Sequence, residues 1–350
     1  MLFKHYTTMK YFNSIILLFT IAICSSCSKN EQDNLVETIN ANPFDSISIS
    51  MELPSGINIY DNKLFITDLF SSDSLIIVYD LLKNQIVSSF GKKGEGPEEF
   101  LHISNIDFFT NKDGNCNISL FDPVKQRMVT YNIAEHNYNF ANISKSEVSF
   151  KNIGNRLHEC YNTAFGFLGT GFIEGKKYLT CSDSLTDIEY QGLYRPKPNK
   201  SIPESTHIIA NYGKTIVSKN KDMFIEIIYN TPVISLYRIE NDKIRKSWEY
   251  LIKEQDYEVI DGSIKNKTPM GYLSASFGDN QIYALYSGEY DSQDEIASYG
   301  KEIHIFNYNG ELKKKVIIDI PAFQLDVDEK SETLYILSHL PESIIRKYKI

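Results

Sequence analysis

The chain has 350 residues, of which 42% are hydrophobic and 13% aromatic, and a formal net charge of −9. That is enough apolar material for a sizeable core, but the balance is too acidic for a nucleic-acid phosphate surface or for charge-driven contact with anionic lipid headgroups. Histidines are scattered singly and no CxxC, CxH or HExxH spacing follows residue 27, so no zinc site or other cofactor is expected.

Met9 to Cys27 reads as an export signal. Lys10 supplies the positive end, and Ile15 to Ile23 form an apolar run broken only by Thr20. The run is shorter than the roughly 20 residues that span a bilayer and has the length of a signal-peptide core. Cys24-Ser25-Ser26-Cys27 resembles a lipobox, which implies that Cys27 is diacylated and becomes the new N-terminus. Cys24 stands where that motif usually has an aliphatic residue, and a cleaved secretory signal without lipid is the alternative. Removing residues 1–26 takes away Lys4 and Lys10 and no acid, leaving a mature charge near −11. The anchored reading makes the chain an outer membrane lipoprotein facing the periplasm or the cell exterior. Ser28 follows the anchor, and Lys29-Asn30-Glu31 loosely resembles the charged export tag of surface lipoproteins without its paired acids. Residues 27–45 are then the lipidated cysteine and a polar tether. Cys116, Cys160 and Cys181 remain, either with a Cys160–Cys181 disulfide or as three buried thiols.

From Ser46 onward the pattern is strand almost everywhere: Ile, Val, Tyr and Phe alternate with polar residues, and Gly, Asn or Asp pairs punctuate the runs. Ser46–Leu53 is an alternating strand with no partner of its own. Six later segments share a polar turn followed by an apolar-aromatic strand: 61–66, 114–120, 174–179, 220–225, 278–285 and 330–337. Most are preceded by one strand, such as Gly56 to Tyr60, and followed by two more, such as Leu75 to Tyr79 and Asn84 to Phe90. Their spacing of roughly 45 to 60 residues suits four-stranded blades. The sixth copy ends after its third strand, Ile344 to Ile350, and Ser46–Leu53 supplies the missing outer one. The expected fold is therefore all-β, a six-bladed β-propeller over residues 46–350 closed by an N-terminal strand. A pair of β-sandwiches would not explain six similar units and a missing last strand.

Phe90-Gly91-Lys92-Lys93-Gly94-Glu95-Gly96-Pro97-Glu98-Glu99-Phe100 joins the first two blades. Its glycines do not make a phosphate cradle: three glutamates repel phosphate, no helix follows, and the strict spacings are absent. They permit a sharp crossover, with Pro97 stiffening it and Phe100 wedged between blades. The stretch resembles the Gly-x-x-Gly-x-Gly-Pro-x-x-Phe link of NHL-type repeats. With the signal and the six units, residues 44 to 350 resemble the TolB-like six-bladed propeller lipoproteins of Bacteroidetes. The resemblance implies a fold and an extracytoplasmic address, and no catalytic residues. The third blade departs furthest, lacking a clean third strand near Glu189 to Pro198.

In a propeller, connections from strand two to three and from strand four to the next blade share one face. That face is expected to collect Asp68, Asp73, Glu95, Glu98, Glu99, Asp122, Asp183, Asp187, Glu289, Asp291, Asp294, Glu295 and Glu342, and the opposite face Lys63, Lys112, Lys176, Lys177, Lys219 and Lys221. The candidate ligand residues are Glu95, Glu98, Glu99, Glu289, Tyr290, Asp291, Asp294 and Glu295, whose carboxylates and ring accept sugar hydroxyls or pair with a basic segment. Two functions compete: a non-catalytic binding or scaffold module for a protein segment or glycan, and a metal-dependent lactonase- or lyase-like enzyme. The latter would draw its ligands from Asn58, Asn105, Asp107, Asn162 and Asp326 on the inner strands. Partners are thus the membrane through the lipid, and a protein or glycan ligand, without nucleic acid.

Overall fold

Two short strands, β1 (Glu37–Asn40) and β2 (Pro43–Ile47), come first in the chain. The computed structural model describes residues 36–48, 53–111, 114–133, 138, 140, 145–153, 156–171, 175–240, 242–260, 263–290 and 298–350. The signal segment, Cys27, Lys112, Asp291, Asp294 and Glu295 lie outside the described residues. Contacts divide the chain into residues 1–37 and a unit of residues 38–350. No helix among the described residues is long and apolar enough to cross a membrane.

Six antiparallel sheets follow. Blade 1 is β3 (Pro54–Tyr60), β4 (Lys63–Asp68), β5 (Ser74–Asp80) and β6 (Gln85–Lys92). Blade 2 is β7 (Asn105–Thr110), β8 (Cys116–Asp122), β9 (Arg127–Asn132) and β10 (Lys145–Ser149). Blade 3 is β11 (Leu157–Thr163), β12 (Gly166–Gly171), β13 (Tyr178–Cys181) and β14 (Ile188–Gln191). A short helix, α1 (Glu204–Ala210), leads into blade 4: β15 (Gly213–Val217), β16 (Met223–Ile228), β17 (Val233–Glu240) and β18 (Lys243–Leu251). A hairpin of β19 (Tyr257–Ile260) and β20 (Ser263–Asn266) precedes blade 5, which is β21 (Tyr272–Phe277), β22 (Gln281–Tyr286), β23 (Gly300–Asn307) and β24 (Leu312–Ala322). Blade 6 is β25 (Gln324–Asp328), β26 (Thr333–Ser338) and β27 (Ile344–Lys349), with β2 as its fourth strand.

The repeat is local chemistry. Asp61 and Asn62 take φ of 47° and 56°, the left-handed pair that a two-residue hairpin turn requires, and so set Tyr60 opposite Lys63. In blades 1, 4 and 5 the fourth strand carries a one-residue bulge, at Val87, Ser247 and Lys313, opposite the third-strand steps Val78/Tyr79, Leu236/Tyr237 and Ile305/Phe306. Such a bulge sharpens the twist of a blade's outer edge.

Four expectations need correction. β2 pairs through Ser46 with Arg346 and Ile47 with Ile345, so the described strand beside β27 is Pro43–Ile47, which begins earlier than the expected Ser46–Leu53, residues 49–52 of which lie outside the described residues. Residues read as tether instead begin the strands: Ile39 packs with Ala41 against the blade 5–6 core, and β1 lies beside β24. In blade 3, residues 174–179 do not open the second strand. β12 is the second strand, and Tyr178–Cys181 the third. Three glycines hide β12 in the sequence, and two are steric necessities: a Cβ on Gly166 would lie 2.1 Å from the Cys181 carbonyl, and one on Gly171 would lie 2.4 Å from that of Arg156. The stretch near Glu189, read as lacking a clean third strand, begins with the outer strand β14. Cys116, Cys160 and Cys181 are free thiols.

The link between blades 1 and 2 is held from blade 2. Lys125 Nζ donates to the Gly96 carbonyl (2.7 Å), that of Glu99 (2.5 Å) and that of Gly94 (3.3 Å). Arg127 donates to the Pro97 carbonyl and, at 2.6 Å, to that of Glu99, with its guanidinium 5.3 Å from the Phe100 ring centre. Gly94 has φ 153°, and a Cβ there would lie 2.1 Å from the Glu99 carboxylate. Phe100 is fully buried among Phe65, Leu75 and Val78 of blade 1 and Ile118, Leu120 and Val129 of blade 2. Phe100→Ala should therefore destabilise the protein by about 3–5 kcal/mol in chemical denaturation. A loss below about 1 kcal/mol would mean that the ring does not join the blades.

Candidate functional site

The first strands of the blades line a central cavity of about 160 Å³. Adjacent first strands are not joined by a ladder, and side chains bridge them. Asn105 exchanges two hydrogen bonds with the backbone of Cys160, at 2.8 and 3.2 Å. Asp107 Oδ2 accepts the Asn162 N–H and side-chain amide, both at 2.9 Å. Glu159 accepts the Thr215 N–H (3.1 Å), Ser274 Oγ the Leu325 N–H (3.2 Å) and Asp326 the Ile59 N–H (2.6 Å). Tyr60 stacks on Phe108 with ring centres 4.7 Å apart. Lys221 of blade 4 reaches across to ion-pair with Asp107, both nearly fully buried. Asp326 also accepts the Ser276 hydroxyl.

Burial dominates the electrostatics here. It pushes the Glu159 carboxyl up to about 7, raises Asp326 and lowers Lys214. Of the candidate ligands for a channel metal, Asn105, Asp107, Asn162 and Asp326 are thus bonded to neighbouring blades. Among the described residues no three His, Cys, Asp or Glu side chains gather closely enough to hold a metal ion.

The antiparallel order defines the two faces. The described residues of the connections 69–73, 93–104, 123–126, 192–212, 252–271, 287–290 and 339–343 share one, here termed the loop face. Asp183 and Asp187, in the turn from β13 to β14, fall on the opposite face, whereas Lys176 and Lys177 fall on the loop face, because the third blade's strands are offset from expectation. The loop face carries Phe70, Val124, Leu193, Ile209, Tyr212, Ile252, Ile260, Tyr290 and Leu340, all exposed; Leu193 is 72% exposed and Phe70 58%. Exposed large apolar side chains gathered on one face are a stronger sign of a partner than acidity on an acidic protein.

The candidate acids divide into two places on that face. Glu95 and Glu98 are exposed, and Glu98 pairs with Lys145 at 2.7 Å. Glu99 turns back to the Gly96 N–H (2.9 Å) and Lys92 (2.7 Å), whose hydrogen bond holds its carboxyl below the usual range. Asp68 and Asp122 are buried turn builders, Asp122 accepting the N–H groups of Leu101, Val124 and Lys125. Glu289 and Tyr290 sit at blade 5, where Lys253 lies 5.8 Å from the Tyr290 ring centre. Trp248 packs in the outer strand β18, its indole N–H on the Tyr308 carbonyl at 3.1 Å.

A cavity of about 270 Å³ opens on the loop face between blades 3 and 4. The 192–212 connection builds one wall with Tyr194, Ile208, Ile209, Asn211 and Tyr212; Tyr178, Ile227 and Gly213 complete it. A Cβ on Gly213 would lie 1.7 Å from the Ile227 carbonyl, so close strand packing shapes the floor. Lys177 and Glu226 form a buried ion pair in the wall, and His158 stands edge-on to Tyr212 at 6.0 Å. The wall is fixed from behind. His207 donates Nε2–H to the Arg195 carbonyl (2.7 Å), so its Nδ1 accepts the Tyr257 hydroxyl (2.8 Å). These residues escaped motif reading, although a connection of this length rich in Tyr and Ile was a usable signal.

A family model described as TolB-like 6-blade propeller-like matches residues 34–330, and the chain belongs to that family. No curated protein matches it. A Bacteroides fragilis protein described as exported superposes with a TM-score of 0.56 at 13% identity, covering 92% of this chain and 97% of that one. A Bacteroides vulgatus member of the DUF4221 family gives 0.55 at 11% identity, with 90% and 97% covered. An auxiliary nutrient binding protein of Bacteroides thetaiotaomicron gives 0.50 at 10%, with 85% and 69% covered. At these identities the likeness is one of fold.

The Glu159 brace has a pH signature. Between about pH 4.5 and 7 the folded state keeps a proton that the unfolded chain has lost, so this group's contribution falls as pH rises through that window. Glu159→Gln keeps an oxygen acceptor for Thr215 and cannot ionise. Its Tm relative to wild type should rise from pH 5 to pH 8, by roughly 5 °C at the upper end. A difference constant with pH would contradict the assignment.

Proposed function

We propose that the chain is a lipid-anchored, extracytoplasmic binding module that holds a protein segment or glycan on its loop face. The observation that carries this is the division of polar and apolar groups. The inner-strand carboxylates that an enzyme would use are bonded to neighbouring blades, while the loop face presents exposed apolar side chains and a tyrosine-lined cavity. Glu95, Glu98, Glu99, Glu289, Tyr290, Asp291, Asp294 and Glu295 are assigned to the rim of the same face, where they favour a partner with basic or hydroxyl groups. The Bacteroides relatives described as exported and as nutrient binding are in keeping with this reading, and the cysteine at position 27 supplies its anchor.

The anchor is tested by Cys27→Ser. The wild type should partition into the detergent phase on cloud-point separation and the variant into the aqueous phase; identical partitioning contradicts lipidation. For binding, the full chain in detergent is offered a displayed peptide library and a glycan array. Binding of the ligand selected should fall at least tenfold in Leu193→Ser and Tyr212→Ala, and also when Glu289, Asp291, Asp294 and Glu295 are neutralised together. Leu82→Ser, on the opposite face, should leave it unchanged. The reverse pattern would refute the assignment of the face.

A further inference from the structure

We infer that the cavity between blades 3 and 4 is the anchor pocket for a tryptophan side chain of a bound protein segment. The inference rests on the binding-module reading and selects one of its two ligand classes. Asn211 carries it. This residue ends helix α1 and is 95% buried, and its side-chain N–H₂ donates to the His207 carbonyl at 2.9 Å and approaches His207 Nδ1 at 3.3 Å. The His207 tautomer, fixed by the Arg195 carbonyl, makes Nδ1 an acceptor, so the amide cannot turn over without setting its carbonyl against two acceptors. Asn211 Oδ1 is left buried with no hydrogen-bond partner among the described residues, in a residue that lines the cavity. A buried amide oxygen in that condition calls for a donor.

The remaining chemistry of the pocket narrows the donor's carrier. Three tyrosine rings and three isoleucines make up the apolar part of the lining, which suits an apolar body. The Lys177 charge is matched by Glu226, and Lys214 directs its ammonium to Gln324 on the channel side at 3.3 Å, so neither lysine presents its charge to the pocket. An apolar cavity of about 150 Å³ accepts one benzene ring, and this one of about 270 Å³ has room for a fused ring. An apolar fused ring with a single N–H is an indole. Leu193, Ile209 and Tyr212, each at least half exposed, lie on the same connection, and give the chain on either side of a tryptophan an apolar surface to cross.

The test uses the full chain in detergent and N-acetyl-tryptophanamide, followed by calorimetry or ligand-observed NMR. The amide should bind, and its 1-methylindole analogue, which lacks the N–H, at least tenfold more weakly. Asn211→Leu should abolish that preference, and Ile209→Lys, at an exposed position that folding tolerates, should weaken both ligands. Equal binding of the two amides to wild type, or binding indifferent to Ile209→Lys, overturns the assignment. Free indole binding more tightly than the amide also overturns it, in favour of a small-molecule site. If the amide fails to bind while a loop-face ligand from the library or array still does, the tryptophan pocket is refuted and the binding-module reading survives.

Discussion

Blades of a propeller meet without a shared backbone ladder, so the backbone groups at the rims of their first strands need partners from elsewhere. In this protein side chains provide them. Asn105, Asp107, Glu159, Ser274 and Asp326 each accept a backbone N–H of the next blade, and Asp107 is further tied to Lys221 from the far side of the channel. A buried carboxylate is costly unless it is bonded and paired. Asp107 meets both conditions, whereas Glu159 and Asp326 are hydrogen-bonded and pushed toward the neutral form by burial, and all three brace the neighbouring blade.

The loop face is built from the longer connections, one of which carries the β19–β20 hairpin, and large apolar side chains on it are exposed, among them Leu193, Ile209 and Tyr212. The same division runs through the crossover between blades 1 and 2. Its glycines and glutamates resemble a ligand loop, yet Lys125 and Arg127 occupy its carbonyls and Phe100 fills the seam. The longer 192–212 connection, by contrast, is braced from behind by His207 and Tyr257 and leaves tyrosines facing a cavity.

The fold was legible because its signals are local. Five of the six repeated strands stand where their turn chemistry puts them, and the aromatic third strands follow. β12 was lost because Gly166, Gly169 and Gly171, present for close packing, remove the alternation that marks a strand. That one offset reversed the faces assigned to Asp183, Asp187, Lys176 and Lys177. β1 and β2 were missed as strands because four and five polar-rich residues resemble a tether until β24 and β27 lie beside them. The site was less legible still. Asn58, Asn105, Asp107 and Asp326 were singled out and do line the channel, but nothing in a linear pattern shows that Asn105 and Asp107 hold backbone amides some 55 residues away, or that Asp326 holds one at the other end of the chain. The pocket depends on which way one imidazole donates its proton, a property of the folded chain alone.

Side-chain bracing of the first strands is tested most directly by amide hydrogen exchange, resolved to single residues, in the intact protein. The amides of Ile59, Cys160, Asn162, Thr215 and Leu325 should exchange as slowly as those within the blade ladders, and Asp107→Ala should accelerate Asn162 selectively. Exchange at the rate of exposed turn amides, or no response of Asn162 to that substitution, would contradict the account.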